Sequence, residues 1–438
     1  MTLKNNFSKQ SGIQGGGRRF DINKRIVYGL RSCGQGYASL EKLLALLNMP
    51  RPMTKMNYNK IVKTIEKAVT EVSKQTMSDS AAEIKEQSDN RDGPVDIGVS
   101  VDSSWQKRGY SSLNGNVAVI ALDGGKVLDV EPMSRHCRQC KEKADLKKEN
   151  IDAYNEWFRK HENHCTLNYK GSAGGMEVAG SKRIFKRSIE NHNLRYVKYL
   201  GDGDSKGFEE VKNTYEGKVI DKLECIGHIQ KRVGSRLREL KKKTKGLGGK
   251  GKLTDKMVDK FQNYYGIALR SNLESVEAMK KAIYAAYLHV ASSATNSWHD
   301  HCPDGASSWC QFEKDKAMGT KLYKPGKGLP TSITCKIKPI FDDLTQNELL
   351  EKCLHGRTQN QNESFNGMIW ERIPKVTYVA LNLFILGVYD AVAHFNLGWK
   401  ASILVFEKLS IVPGRYCTKN VDSLNRKIWN AIAALSIW

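Results

Sequence analysis

Ile97-Gly-Val-Ser-Val-Asp102 decides how this chain is read. Apolar or small residues occupy both faces of the run, which is the pattern of a central strand covered by helices on both sides. An aspartate closes it, so the run predicts a carboxylate emerging at the edge of a sheet. Working outward, Val95 to Val101, Asn116 to Leu122 and Lys126 to Glu131 read as three strands, and Gly124-Gly125 as a hairpin turn between the last two. Met176 to Asn191 then reads as a helix, Arg195 to Leu200 as a strand, Phe208 to Tyr215 as a helix and Val219 to Cys225 as a strand.

That order, three antiparallel strands and then helix-strand-helix-strand, is the order of a ribonuclease-H-like α/β domain with a mixed sheet. Two further acidic segments share the setting of Asp102. Tyr199-Leu-Gly-Asp202-Gly-Asp204-Ser-Lys206 again follows a strand-like run, and Gln361-Asn-Glu363-Ser-Phe-Asn-Gly367 lies on a helix. Carboxylates arriving from two strands and a helix are what a pair of divalent cations needs, because both must be held by oxygen ligands a few ångströms apart.

The 438 residues suit two or three domains. The net charge of +23 points to a polyanion, and nucleic acid is the expected one. No stretch approaches the roughly 20 apolar residues of a membrane span, and Met1-Thr-Leu-Lys-Asn-Asn-Phe7 has no apolar signal core, so no membrane is expected as a partner. Residues 1–94 read as a basic lead, helical segments and, from Met77, a polar and partly helical linker. The break Gly34-Gln-Gly36 suits either a DNA-docking helix-turn-helix or a helical cap on the next domain. Residues 95–238 hold the first part of the α/β domain, 239–355 a basic, all-helical insertion, and 356–438 the Glu363 helix and two apolar helices. From Lys231 to Lys252 the chain carries ten Lys or Arg and one acid, Glu239. That run is a solvated face, a nuclear import signal or a phosphate-contacting surface.

The ten cysteines read as intracellular, because several fall in metal-like pairs with histidines. Cys137-Arg-Gln-Cys140 followed by His161-Glu-Asn-His164-Cys165 has the ligand types and spacing of a structural zinc site. Cys137, Cys140, His161 and Cys165 are the expected ligands, with His164 as a substitute. Trp298-His-Asp-His301-Cys302 with Trp309-Cys310 is spaced more loosely and reads as helix-turn packing, with a second zinc site as the weaker alternative. Cys225-Ile-Gly-His228 ends a strand and opens the basic helix, where His228 can reach an aspartate, a phosphate or the attacking water.

Taken in order, Val101-Asp102-Ser-Ser-Trp105-Gln-Lys-Arg-Gly109, Gly171-Ser-Ala-Gly-Gly-Met-Glu177, Gly201-Asp-Gly-Asp-Ser-Lys206, Glu224-Cys-Ile-Gly-His228-Ile-Gln-Lys-Arg232 and Gln361-Asn-Glu363-Ser-Phe365 resemble the Mutator-like DDE transposases of animal genomes. The resemblance implies a ribonuclease-H-like catalytic core in which Asp102, Asp202 and Glu363 hold two Mg2+ or Mn2+ ions. Asp204 would support or substitute for Asp202. It also implies the superfamily signature at Cys225 and His228, a helical insertion before the glutamate, and action on the double-stranded DNA of terminal repeats and target. A nuclear location and a homodimer follow as expectations. Arg108, Lys206, Lys231, Arg232, Lys241, Lys242 and Lys243 are the candidate phosphate contacts, and Trp105 is read as packing beneath the site rather than stacking on a flipped base. Two other readings stand beside this one: a transposase-derived DNA-binding protein without cleavage activity, and another ribonuclease-H-like nuclease.

Overall fold

The computed structural model describes residues 21–88, 93–107, 111–203, 206–375 and 377–435. Three helices come first, α1 (Asp21–Ser32), α2 (Tyr37–Leu46) and α3 (Lys55–Glu86), followed by strands β1 (Val95–Trp105), β2 (Asn114–Ala121) and β3 (Val127–Ser134). Short helices α4 (Arg138–Glu142), α5 (Ala144–Glu149) and α6 (Ile151–His161) precede α7 (Gly175–His192), β4 (Leu194–Gly201), α8 (Lys206–Val211) and β5 (Asp221–Glu224). Then come α9 (Ile226–Lys243), α10 (Asp255–Arg270), α11 (Val276–Ala291), α12 (Gln311–Met318), α13 (Thr331–Leu344) and α14 (Asn347–Glu351). The described chain ends with α15 (Asn360–Arg372), α16 (Leu381–Leu397), α17 (Lys400–Lys408) and α18 (Arg415–Leu435).

The chain is mixed α/β and divides into two compact units. One gathers the described parts of 1–199, 206–220 and 360–438; the other gathers those of 200–205 and 221–359. The sheet order is β3-β2-β1-β4-β5, with β5 and the last residues of β4 belonging to the second unit.

In the first unit β2 is buried along its whole length, which requires cover on both faces. Val117, Val119 and Ala121 pack with Met176, Ile184 and Phe185 of α7. Ala118 and Ile120, pointing the other way, pack with Phe365 and Ile369 of α15 and with Phe384 and Val388 of α16. The period-two alternation of a strand therefore sorts β2 between two helical layers. α7 can approach so closely because residue 180 is glycine: a Cβ there would lie 2.4 Å from Val117 Cγ2. Gly124 and Gly125, with φ of 76° and 64°, make the β2–β3 turn that positive φ at two successive residues favours.

Asp102 does not end its strand. β1 continues three residues further, and Asp102 pairs in register with Ala118. Residues directly opposite share a face, so Asp102 lies on the side of the sheet that α15 covers. Residues 77–86, read from sequence as part of a polar and partly helical linker, are the last turns of α3. Met77, Ser80 and Ala81 recur there at helical spacing and are buried. The tail carries a third helix, α18, beyond the two expected. α1–α3 form one core with α16 and α17, built from Val27, Leu40, Ile65, Val69, Ala401 and Val405 among others.

The second unit is helical around Ile229, Val233, Phe261, Tyr265, Tyr287 and Phe341. α10 opens on Thr254, whose side chain accepts from Met257 N, and α11 on Ser275, whose side chain accepts from Ala278 N. Among the described residues no helix is long and apolar enough to cross a membrane.

Candidate active site and metal centres

α15 lies along β1, and its polar face makes the contacts. Asn362 Nδ2 donates to Ser100 O at 3.4 Å, Asn366 Nδ2 to Asp102 Oδ2 at 2.7 Å, and Trp370 Nε1 to Ser104 Oγ at 2.8 Å. The match is one of repeats. Every fourth helical residue advances about 6 Å and every second strand residue about 6.6 Å, so residues 362, 366 and 370 follow 100, 102 and 104. Glu363 is exposed on the same helix, three positions before the asparagine that holds Asp102. Residues three apart are neighbours on a helix surface, with Cβ atoms about 5–6 Å apart. The fold thus places Glu363 one turn from the residue that fixes Asp102. Trp105 donates its indole N–H to Ala173 O at 2.8 Å and packs within the first unit.

In the second unit the chain leaves β4 at Gly201 and presents Asp202, whose side chain is 72% exposed. His228, on the first turn of α9, brings Nδ1 to 2.6 Å from Asp202 Oδ1. Its hydrogen bond to Asp202, and then its contact with Cys225, push His228 up to about 10, so it is an imidazolium at neutral pH. The same contact holds the Asp202 carboxyl below its ordinary value, with Arg232 and Lys222 adding to the effect. Cys225 is the N-cap of α9 and accepts from Gln359 N at 3.3 Å. Burial acts to raise its thiol, but donors from His228 and Gln359 outweigh burial and lower it. Arg232 reaches Glu224 at 3.3 Å, and its guanidinium fills the space that a Cβ on residue 203 would need.

The expected residues therefore fall into two groups: Asp102 and Glu363 in the first unit, and Asp202, Cys225, His228 and Arg232 in the second. Asp204 and Arg108 lie outside the described residues. A family model described as Mutator-like transposase matches residues 2–310, well over half of the chain.

The chain belongs to the Mutator-like transposase family.

No curated protein matches it. The sequence reading did not single out Asn362 and Asn366, which bond to β1 in the first unit, or Gln359, which donates to Cys225 in the second. The signal for the two asparagines was the four-residue spacing 362, 366, 370 around Glu363.

The basic segment of this Mutator-like chain is extensively paired. Lys241 meets Asp255 at 2.9 Å and Lys243 meets Glu239 at 2.6 Å, while Arg236 pairs with Asp343 and Arg238 with Asp259. Lys206, Lys231 and Lys242 are exposed.

Cys137, Cys140, His161 and Cys165 converge, with one ligand atom from each lying within 4.8 Å of all the others. Cys137 Sγ is 3.2 Å from His161 Nε2, and Cys140 Sγ is 3.5 Å from Cys165 Sγ. Burial acts to raise the Cys137 thiol, but backbone donors at Cys140 and Thr166, together with His161, hold it low. Trp157 stacks on the His161 ring at 4.7 Å. His164 is exposed and outside this cluster. These donors could hold a metal ion.

Proposed function

We propose that this chain is a DNA transposase that cuts element ends and joins them to target DNA by two-metal phosphoryl transfer on a ribonuclease-H-like core. The contact of Asn366 with Asp102 carries the reading, because Glu363 lies one turn before Asn366 on the same helix. The sheet order, and the Asp202–His228 pair beside the Cys225 cap, support it.

The donors fit hard divalent cations. Asp102, Asp202 and Glu363 offer carboxylate oxygens, and Asn366 Oδ1 is buried beside Asp102 without a hydrogen-bond partner. Bound Mg2+ or Mn2+ would lower the pKa of a water or 3′-hydroxyl and neutralise charge on the leaving oxygen. The protein's own groups do the positioning. Asn366 fixes one oxygen of Asp102, while the His228 imidazolium fixes one oxygen of Asp202 and adds positive charge for a phosphodiester. Lys206, Lys231, Arg232 and the 241–243 lysines contact phosphates, and the sequence pattern extends this role to Arg108. Asp204 supports Asp202. The Cys137, Cys140, His161 and Cys165 cluster holds a structural zinc ion. The partners are the double-stranded DNA of terminal repeats and target, handled by a homodimer in the nucleus.

The test is a plasmid carrying the element's terminal repeats. Mg2+-dependent nicking should vanish in Glu363→Gln while binding of the same DNA persists. Nicking that survives the change overturns the assignment.

A further inference from the structure

Between α11 and α12 the chain runs through residues 292–310 with no helix or strand. A coil of this length needs something to hold it, and four side chains meet within it and at its two ends. They are His289 on the last turns of α11, His299 and Cys302 in the coil, and Cys310 at the N-cap of α12. One ligand atom from each lies within 4.8 Å of all the others.

The separations are those of a tetrahedron. Zinc bonded to nitrogen at about 2.1 Å and sulfur at about 2.3 Å sets N···N, N···S and S···S edges of about 3.3, 3.6 and 3.8 Å. His289 Nδ1 and His299 Nδ1 are 3.2 Å apart, and Cys310 Sγ is 3.4 Å from His299 Nδ1. Cys302 Sγ is 3.7 Å from His289 Nδ1 and 4.0 Å from His299 Nδ1. His299 is also held from behind. Its Nε2 lies 3.1 Å from both Ser292 Oγ and Tyr323 Oη, and Phe312 stacks on its ring at 4.5 Å. A second nitrogen anchored in this way aims Nδ1 into the cluster, as metal-binding histidines require. Cys302, Cys310 and His299 are buried and His289 half-buried.

We infer that His289, His299, Cys302 and Cys310 form a second, structural zinc site, which staples the 292–310 coil to the ends of α11 and α12. Four protein ligands close the coordination sphere, so the ion has no open position for substrate. From sequence this region reads first as packing, with zinc as the weaker alternative, because its spacing is loose. His301 is exposed, and the fourth ligand, His289, comes from the preceding helix, a spacing no short motif shows.

Total metal analysis of the full chain, saturated with zinc and desalted, tests this. Zinc content should fall by one ion per chain in Cys302→Ser and in Cys310→Ser, and stay at the wild-type value in His301→Ala. Equal content in the wild type and Cys302→Ser overturns the site. If the serine variants precipitate, cobalt loaded into the Cys140→Ser chain replaces this readout. The intense visible bands of tetrahedral, thiolate-bound cobalt support the site, and a weak octahedral spectrum overturns it.

Discussion

Arg372→Met should be among the most damaging single changes in the first unit. Arg372 is the last residue of α15, and its Nε donates to Asp390 Oδ2 at 2.6 Å with the two side chains only 5% and 4% exposed. The Tyr28 hydroxyl donates to the other carboxylate oxygen at 2.9 Å, and His394 Nδ1 lies 3.5 Å from Asp390. Burial acts to raise the Asp390 carboxyl, but the charges of His394 and Arg372 and the hydrogen bonds from Arg372 and Tyr28 hold it below its ordinary value. At an effective dielectric near 20, opposite charges about 4 Å apart attract by about 4 kcal/mol. Removing one partner of a buried pair costs about 3–5 kcal/mol, because the other charge is left uncompensated. Tyr28 stays in place, so the lower part of that range applies, about 3–4 kcal/mol. With a urea slope of about 3 kcal/mol per molar, the midpoint should drop by about 1 M. Hydrogen exchange in α15 and α16 peptides along a urea series reads the first unit by itself. Arg372→Met combined with Asp390→Asn should recover about half the loss, since the asparagine oxygen still accepts from Tyr28. A drop below about 0.3 M in the single variant, or no recovery in the double, refutes the argument.

Two smaller perturbations address the site. Asn366→Ala removes the donor that fixes Asp102 and should cost about 1 kcal/mol of stability while cutting nicking by at least tenfold; near wild-type nicking rates would show that Asp102 needs no such support. In metal-free protein His228 should titrate near 10 by NMR. A raised folded pKa gives stability that is complete below the unfolded value, about 6.5, and is lost as pH rises through the folded one. The urea midpoint of the wild type minus that of His228→Gln should therefore shrink between roughly pH 6.5 and 10. Because Asp202 is largely in water, its size should be about 1 kcal/mol rather than the full shift, and a constant difference across that window would sink the pairing.

The sheet was legible because each strand carried its own local signal. Ile97 to Val101 is apolar or small on both faces, Gly124-Gly125 marks a turn, and the two glycines take the positive φ it needs. Asp102 was legible as a candidate but not its place within the strand. Ser103, Ser104 and Trp105 extend β1 by pairing with Val117, Asn116 and Gly115, and that partnership lies on another strand. Residues 77–86 were only partly legible for a similar reason: their polar composition hides Met77 and Ala81, which pack into separate layers of the first unit. His289 could not be found by spacing, since only the path of the 292–310 coil brings it to Cys302.

The basic run shows how a charge count overstates a binding surface. Its ten cations from 231 to 252 admit phosphate contact as one reading, yet Arg232, Arg236, Arg238, Lys241 and Lys243 each face a carboxylate of the second unit. Those pairs do not remove the run from use. The pairs made by Lys241, Lys243, Arg236 and Arg238 are substantially exposed, and such pairs are worth only about 0–1 kcal/mol each. A phosphate can replace the carboxylate at little cost. Arg232 differs, because Glu224 is buried and its pair holds the guanidinium against Gly203, next to Asp202. Releasing Arg232 would leave a buried carboxylate without its cation. Under the proposed function, the exposed pairs would be the ones free to follow a DNA backbone, and Arg232 the one held in place to meet a phosphate at Asp202.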